Sequence, residues 1–519
     1  MNGRSRITAL TLALAVVALV GGGGLLASAL GGDPAEAAPQ VLPEVPATPM
    51  DRVAAKAHNS PLLVTDPTDE RFVVVAHRVD APAYDCGLQV SGDRGRTWLA
   101  ANPVPEPPPG ADTCYNPEVA FDGDGTLYYL FVGLAGRGNE PMGVFLTTSS
   151  DRAQSFSPPR QVLGPFNFSV RMAIDPTVGE QGRIHLVWLH ATSDPPLGGF
   201  GPPPNPILAA HSDDGGETFS EPLQVNDPER LRSVAPALAL GPDGSVHVAY
   251  YDLGDDAVDY QGLEGGIYQG TWSLVLASSV DRGVHFGQGV VVDDKVTPSE
   301  RVMLIFTMPP PALVADGDQL CMGWTDGRHG DADAFASCST DGGRRWGEDV
   351  RLNDDAVGNG RSQYQPRLSL APNGRLDAIF YDRRASLQNL RNDVSFTYST
   401  DRGETFAPNL TLNQGGSSLV SIGPEYAIPS AKDQVEFGSR MGLLSANASA
   451  LAAWTDTRNS VELTTDQDIF TTDVTGLPAP PNKTTWAATG GAVLLGTGVV
   501  ALVVAAARSR RPHQEMGVR

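Results

Sequence analysis

An eight-residue pattern occurs six times in this chain at intervals of roughly 60 residues, and it restricts the possible folds more than any other feature. The copies are SGDRGRTW (Ser91 to Trp98), SSDRAQSF (Ser149 to Phe156), SDDGGETF (Ser212 to Phe219), SVDRGVHF (Ser279 to Phe286), STDGGRRW (Ser339 to Trp346) and STDRGETF (Ser399 to Phe406). Each reads Ser, any residue, Asp, any residue, Gly, two more, then Trp or Phe; the second departs, with Ala153 in place of Gly. Such a segment suits a tight β-turn: the Asp carboxylate accepts nearby backbone N–H groups, Gly supplies positive φ, and the aromatic ring tucks beneath the turn between strands.

Around each copy a larger unit repeats. VAPALALGPDGSVHVAYYD precedes the fourth copy and YQPRLSLAPNGRLDAIFYDRR the sixth, each reading as strand, DG or NG turn, strand. A third strand leads into the eight-residue turn and a fourth leaves it, as in LQVND, VRLND and LTLNQ. The unit is a four-stranded antiparallel blade, and the chain is expected to be an all-β propeller.

The eight-residue pattern resembles the Asp-box, or BNR, repeat of the sialidase superfamily. Sialidases of that superfamily have six blades. Here a seventh unit, FGSRMGLLSANASALAAWTDTRNSVELTTDQDIFTTDVTG, offers three strands without the turn or the final strand. APQVLPEVP, near the N-terminus, looks like the missing fourth strand, so the expectation is a seven-bladed propeller closed by its own N-terminal segment, with six blades as the alternative.

The ends read as targeting segments. Arg4 and Arg6 precede an apolar run, and Ala35 and Ala37 suit cleavage, so residues 1–37 read as a signal peptide, an uncleaved anchor being the alternative. The propeller is assigned to 38–476 and a Pro-rich stalk to 477–486. Ala487 to Ala507 carry no charge and are long enough to cross a bilayer as a helix. The tail, 508–519, opens with Arg508, Arg510 and Arg511, which places it in the cytoplasm and the propeller outside, as a single-pass protein of the cell membrane.

Lys and Arg total 37 against 60 acidic residues, a net charge of -23, and six of those arginines lie in the signal segment and tail. A body this acidic argues against a nucleic-acid partner and leaves a glycan or a surface protein. The four cysteines, outside the cell, are expected to form two disulfides. Three pairings are possible, and local ones are favoured, Cys86 with Cys114 and Cys321 with Cys338. No cofactor or metal is implied: DGDG at 122–125 and ADGD at 315–318 fall at hairpin turns and do not extend into a calcium loop.

Function in a propeller lies in the loops of one face. The eight-residue turns join strands three and four, so the long connections, such as ATSDPPLGGFGPPPNP and NQGGSSLVSIGPEYAIPSAKDQVEFGSR, fall on the opposite face. Aligned starts of the innermost strands read NPEVAF, SVRMAI, APALAL, PPALVA, QPRLSL and GSRMGL, and one position varies in chemistry: Glu118, Arg171, Ala237, Ala312, Arg367 and Arg440. Arg171, Arg367 and Arg440 should approach the mouth of the central channel, where three guanidiniums could grip a carboxylate, or else pair with acidic residues of neighbouring blades.

The resemblance implies an arginine triad of that kind, together with a tyrosine nucleophile activated by a glutamate. Tyr426 with Glu425 or Glu436 are the candidates, Tyr364 being a competing nucleophile. The family's first arginine lies in an [FY]RIP motif that this chain lacks, SVRMAI being the nearest echo. Two functions stay open, a binding propeller and an exo-acting sialidase-type glycosidase. WTDGR (Trp324 to Arg328), YDRR (Tyr381 to Arg384) and WTDTR (Trp454 to Arg458) read as repeated ion pairs or as loop-face carboxylates.

Overall fold

A computed structural model describes residues 38–481 apart from 50–55, 81–82, 102–104, 106, 137–138, 180, 192–202, 257–267, 269, 299–307, 390, 414–437 and 459–466. The signal segment, most of the stalk, the apolar span and the tail therefore lie outside the described residues.

Seven antiparallel sheets stand around one axis, making a seven-bladed propeller. The third blade shows the plan: Asn167–Asp175 is innermost, followed outward by Arg183–His190, Ile207–Ser212 and the short Leu223–Gln224. The inner strands of the others are His58–Asp66, Thr113–Phe121, Ser233–Leu240, Ala312–Asp316, Gln363–Leu370 and Gly442–Ser445. The seventh blade is completed from the far end of the chain: Gln40 and Val41 pair with Thr475 and Val474, and Val45 and Pro46 with Thr471 and Phe470. That is the closure the sequence predicts.

The second strands are apolar on both faces because a blade packs against two neighbours, and the core is accordingly a series of inter-blade clusters. Leu88, Tyr129 and Phe131 join blades one and two; Ile379, Trp454 and Phe470 join six and seven; Val75, Leu451 and Ile469 close seven onto one. Both disulfides form as the local pairing requires. Cys86–Cys114 links blade one to blade two, and Cys321–Cys338 bridges directly opposed residues of blade five.

The repeated turns share one hydrogen-bond plan. In the third copy the Ser212 hydroxyl donates to Asp214 Oδ1 at 2.7 Å and accepts the Gly216 N–H at 2.8 Å, while Asp214 accepts the N–H of Thr218 at 2.9 Å. In the second copy Ala153 keeps the positive φ of the glycine it replaces, at 63°, and still donates to Ser149. The preceding residue is left-handed too, as at Arg152 (61°) and Arg282 (61°), a backbone demand worth about 1–2 kcal/mol per non-glycine residue that the pattern itself conceals. The aromatic residue staples its blade to the one before: Trp98 Nε1 donates to Thr471 of blade seven at 3.0 Å.

The three ion-pair motifs are structural. Asp326, Asp382 and Asp456 are almost completely buried at the ends of second strands, and each accepts from the arginine two residues on. Arg328 also reaches Asp349 at 2.9 Å, and Arg458 reaches Glu44 of the closing segment at 2.5 Å.

Three of the four buried histidines among the described residues give the fold a pH window, and the fourth, His58, is pushed lower still by burial, to about 2. His77, His185 and His247 are each held neutral with a pKa pushed down to about 4, chiefly by burial. Room for His77 depends on Gly87, where a Cβ would lie 1.8 Å from the ring. In the unfolded chain these groups take protons near pH 6.5, so their contribution is complete above 6.5 and is lost as pH falls towards 4. The turn carboxylates Asp151 and Asp214, lowered to about 2 by hydrogen bonds from Ser155 and Thr218, give way only at lower pH. Burial raises Asp326 and Asp473, and those two act in the opposite sense. Denaturant unfolding should therefore show His247→Gln losing less stability than the native chain between pH 7 and pH 4.5. Equal slopes would remove His247 from the account.

Candidate functional site

The candidate site is the central channel, and an irregularity repeated in the inner strands builds it. Strand register slips by one residue between Asn59 and Leu62, Tyr115 and Glu118, Phe168 and Arg171, Val234 and Ala237, and Tyr364 and Arg367. At each slip a residue takes positive φ: Ser60 (57°), Asn116 (50°), Ser169 (50°), Ala235 (53°) and Gln365 (52°), with Gly438 (96°) in the corresponding place of blade seven. A bulge of this kind re-aims the following side chain. The residue two positions later therefore points into the channel, giving a ring of Leu62, Glu118, Arg171, Ala237, Arg367 and Arg440. The signal was present in the sequence as Pro61, Pro117, Pro236 and Pro366, since proline inside a strand is tolerated at bulges.

These residues line a cavity of about 540 Å³ to which the inner strands of all seven blades contribute. The cavity continues past Pro67, Asp122, Gly123 and Pro176, which sit at turns between first and second strands. It thus runs from the arginines towards the face that carries the repeated turns. The long connections at 192–202, 257–267, 299–307, 414–437 and 459–466 leave strands ending on the other face, and they lie outside the described residues.

The structure brings the three predicted arginines and Glu118 together, but they are not equivalent. Arg171 Nη1 donates to Glu118 Oε1 at 3.0 Å and its Nε to the Pro236 carbonyl at 3.2 Å. Arg440 Nη1 donates to the same Glu118 oxygen, its Nη2 to the Pro117 carbonyl at 2.5 Å, and its Nε to the Ser60 carbonyl at 3.1 Å. Arg440 therefore laces blades seven, one and two, and Arg171 laces two, three and four. Both side chains and Glu118 are nearly buried, at 8%, 11% and 5% exposure.

Arg367 stands apart. Its Nε is buried and has no hydrogen-bond partner among the described residues. Burial, with the charges of Arg440 and Arg171 beside it, pushes its pKa down to about 10, while Glu118 pulls the other way. Burial likewise lowers Arg171. One carboxylate among three guanidiniums leaves the channel with an excess of positive charge inside a very acidic protein, and Arg367 carries the unsatisfied share.

Tyr364 occupies a different place. It is buried in the cluster between blades six and seven, its ring 5.4 Å from that of Tyr381, its hydroxyl donating to Asn392 Oδ1 at 2.8 Å and its face under Arg383. It does not line the channel cavity. Glu425, Tyr426 and Glu436 lie outside the described residues. Among the described residues no group of three or more His, Cys, Asp or Glu side chains is arranged to hold a metal ion. The carboxylate of Asp122 is used by its own turn, accepting the N–H groups of Asp124 and Thr126 at 3.0 and 2.8 Å.

No protein-family model matches the chain, and no curated protein matches it. Among solved structures it is similar to a protein of unknown function from Dyadobacter fermentans DSM 18053, at 14% identity and a TM-score of 0.44, covering 84% of this chain and 99% of the other. It is also similar to the Hadza microbial sialidase Hz136, at 15% identity and a TM-score of 0.41 over 79% and 74% of the two chains. A PL25 ulvan lyase matches at 13% identity and a TM-score of 0.45, over 82% and 96%. Likenesses this distant carry no chemistry from those proteins to this one. The chain is a seven-bladed β-propeller whose channel is lined by an arginine and glutamate cluster.

Proposed function

We propose that the chain is an Asp-box propeller tethered to the outer surface of the cell membrane that binds a glycan or a protein ligand on the face opposite the repeated turns, with no role for nucleic acid. The observation supporting binding over hydrolysis is Glu118. Its carboxylate takes a guanidinium from both Arg171 and Arg440, which is the position a substrate carboxylate would need. With further donors of those two arginines on the backbone carbonyls of Pro236, Pro117 and Ser60, the cluster acts as a lock on the ring.

A sialidase-type exo-glycosidase is the second reading, and Arg367 favours it, because its unpartnered Nε could still meet an acidic sugar. Tyr426 with Glu425 or Glu436 would then supply the chemistry. The soluble ectodomain, residues 38–480, should bind components of a glycan array saturably and leave a fluorogenic sialoside intact. Turnover that disappears in Arg367→Ala would replace the binding reading with the glycosidase.

A further inference from the structure

Both described ends of the propeller leave from one face. The last strand of blade seven, Asp468–Thr475, runs towards the side of the repeated turns, and the chain stays pinned there after it ends. Leu477 is buried and donates its N–H to Ala448 at 3.1 Å, and the Pro478 carbonyl accepts from Arg375 Nη1 at 3.3 Å. Arg375 also holds the carbonyls of Ala446 and Asn447, in the first hairpin turn of blade seven. At the other end Gln40 pairs with Thr475, so the N-terminal segment enters at the same face.

We infer that the face bearing the repeated turns lies against the lipid surface and that the long-loop face points away from the membrane. This rests on the proposed membrane anchor at Ala487 to Ala507 and adds the orientation that anchor imposes. Eight residues, 479–486, separate the pinned Pro478 from the apolar segment. As polyproline they reach about 25 Å, and fully extended about 28 Å. A second strand such as Ser449–Asp456, eight residues long, already spans about 26 Å between the two faces. To bring the long-loop face down the stalk would have to cover that depth and also cross the two outer strands of blade seven, about 10 Å more, so it cannot pass around the rim. In this orientation the cavity below Arg367 opens towards the bilayer, and a ligand must come from the surroundings to the exposed loops.

Two exposed side chains on opposite faces make the test direct. Val280, in the repeated turn of blade four, is 90% exposed, and Leu387, between strands two and three of blade six, is 87% exposed. The described residues hold no free cysteine, so Val280→Cys and Leu387→Cys can each take one donor fluorophore. In the full chain reconstituted into phosphatidylcholine vesicles carrying an acceptor-labelled lipid, energy transfer from position 280 should exceed that from 387 several-fold. Inserting about 20 Gly/Ser residues after Pro478 should reduce transfer at 280 and narrow the difference. Equal transfer, or more from 387, overturns the orientation; an upright propeller resting on blade seven would give the latter, because blade six is near that edge and blade four is across the ring. Flotation of the vesicles separates the two claims. A chain that fails to float with them defeats the anchor itself, whereas one that floats with reversed transfer defeats the orientation alone.

Discussion

Glu118→Gln should destabilise the propeller by about 3–5 kcal/mol, the cost of removing one partner from a buried ion pair and leaving the other charges uncompensated. The expectation is large because Glu118 serves two arginines from one carboxylate oxygen, in a site where Arg367 adds a third positive charge. Amide replacement keeps the shape and removes the charge, so lost packing is not involved. Urea unfolding followed by tryptophan fluorescence would read the change as a lower midpoint at an unchanged slope. The double variant Glu118→Gln/Arg440→Met should recover a substantial part of the loss, since replacing both members of a buried pair by groups of similar volume is often close to neutral. If Glu118→Gln unfolds at the native urea concentration, Glu118 is not the counter-charge of the channel.

Removal of residues 38–48 should be more damaging still. The segment supplies the outermost strand of blade seven across more than 420 residues of chain. Leu42 and Ala47 donate N–H groups to the carbonyls of Asp473 and Ile469 at 2.9 and 2.7 Å, the Ile469 N–H reaches Thr48 at 3.0 Å, and the Thr472 hydroxyl reaches the Leu42 carbonyl at 2.6 Å. At about 1 kcal/mol net for each bond, these four alone come to about 4 kcal/mol. Deletion also takes Glu44 from the Arg458 pair and opens a sheet edge to aggregation. The truncated ectodomain should lose cooperative unfolding or become largely insoluble, and a synthetic peptide of residues 38–48 should restore part of the folded signal. Native-like unfolding without the segment would show that the other strands hold the ring closed unaided.

Much of this architecture was legible from sequence, and the reason is range. The Ser212, Asp214, Gly216 and Thr218 contacts close within a run of seven residues, so the pattern that makes them must appear in consecutive letters. The same holds for the hairpins whose repetition set the number of blades. The closing segment was recognisable because it copies the fourth strand of the other units. Cys321 and Cys338 faced each other as soon as their hairpin was drawn.

The channel obeyed a different rule. Alignment of the internal copies placed Glu118, Arg171, Arg367 and Arg440 at one position, but nothing in that alignment states which charge meets which. Glu118 and Arg440 are 322 residues apart, and they touch only because the seventh blade returns to the first. The bulges that aim them, and the carbonyls of Ser60, Pro117 and Pro236 that absorb two of the three arginines, depend on how neighbouring inner strands pack. Sequence by itself thus determined the repeating blade, through contacts local to each unit, and marked the closing strand, because that segment copies the fourth strand of the other units. Only the tertiary structure decided that two arginines lock the ring and that Arg367 finds no counter-charge of its own, because the pairing of buried charges follows from distances that exist only once the circle is complete.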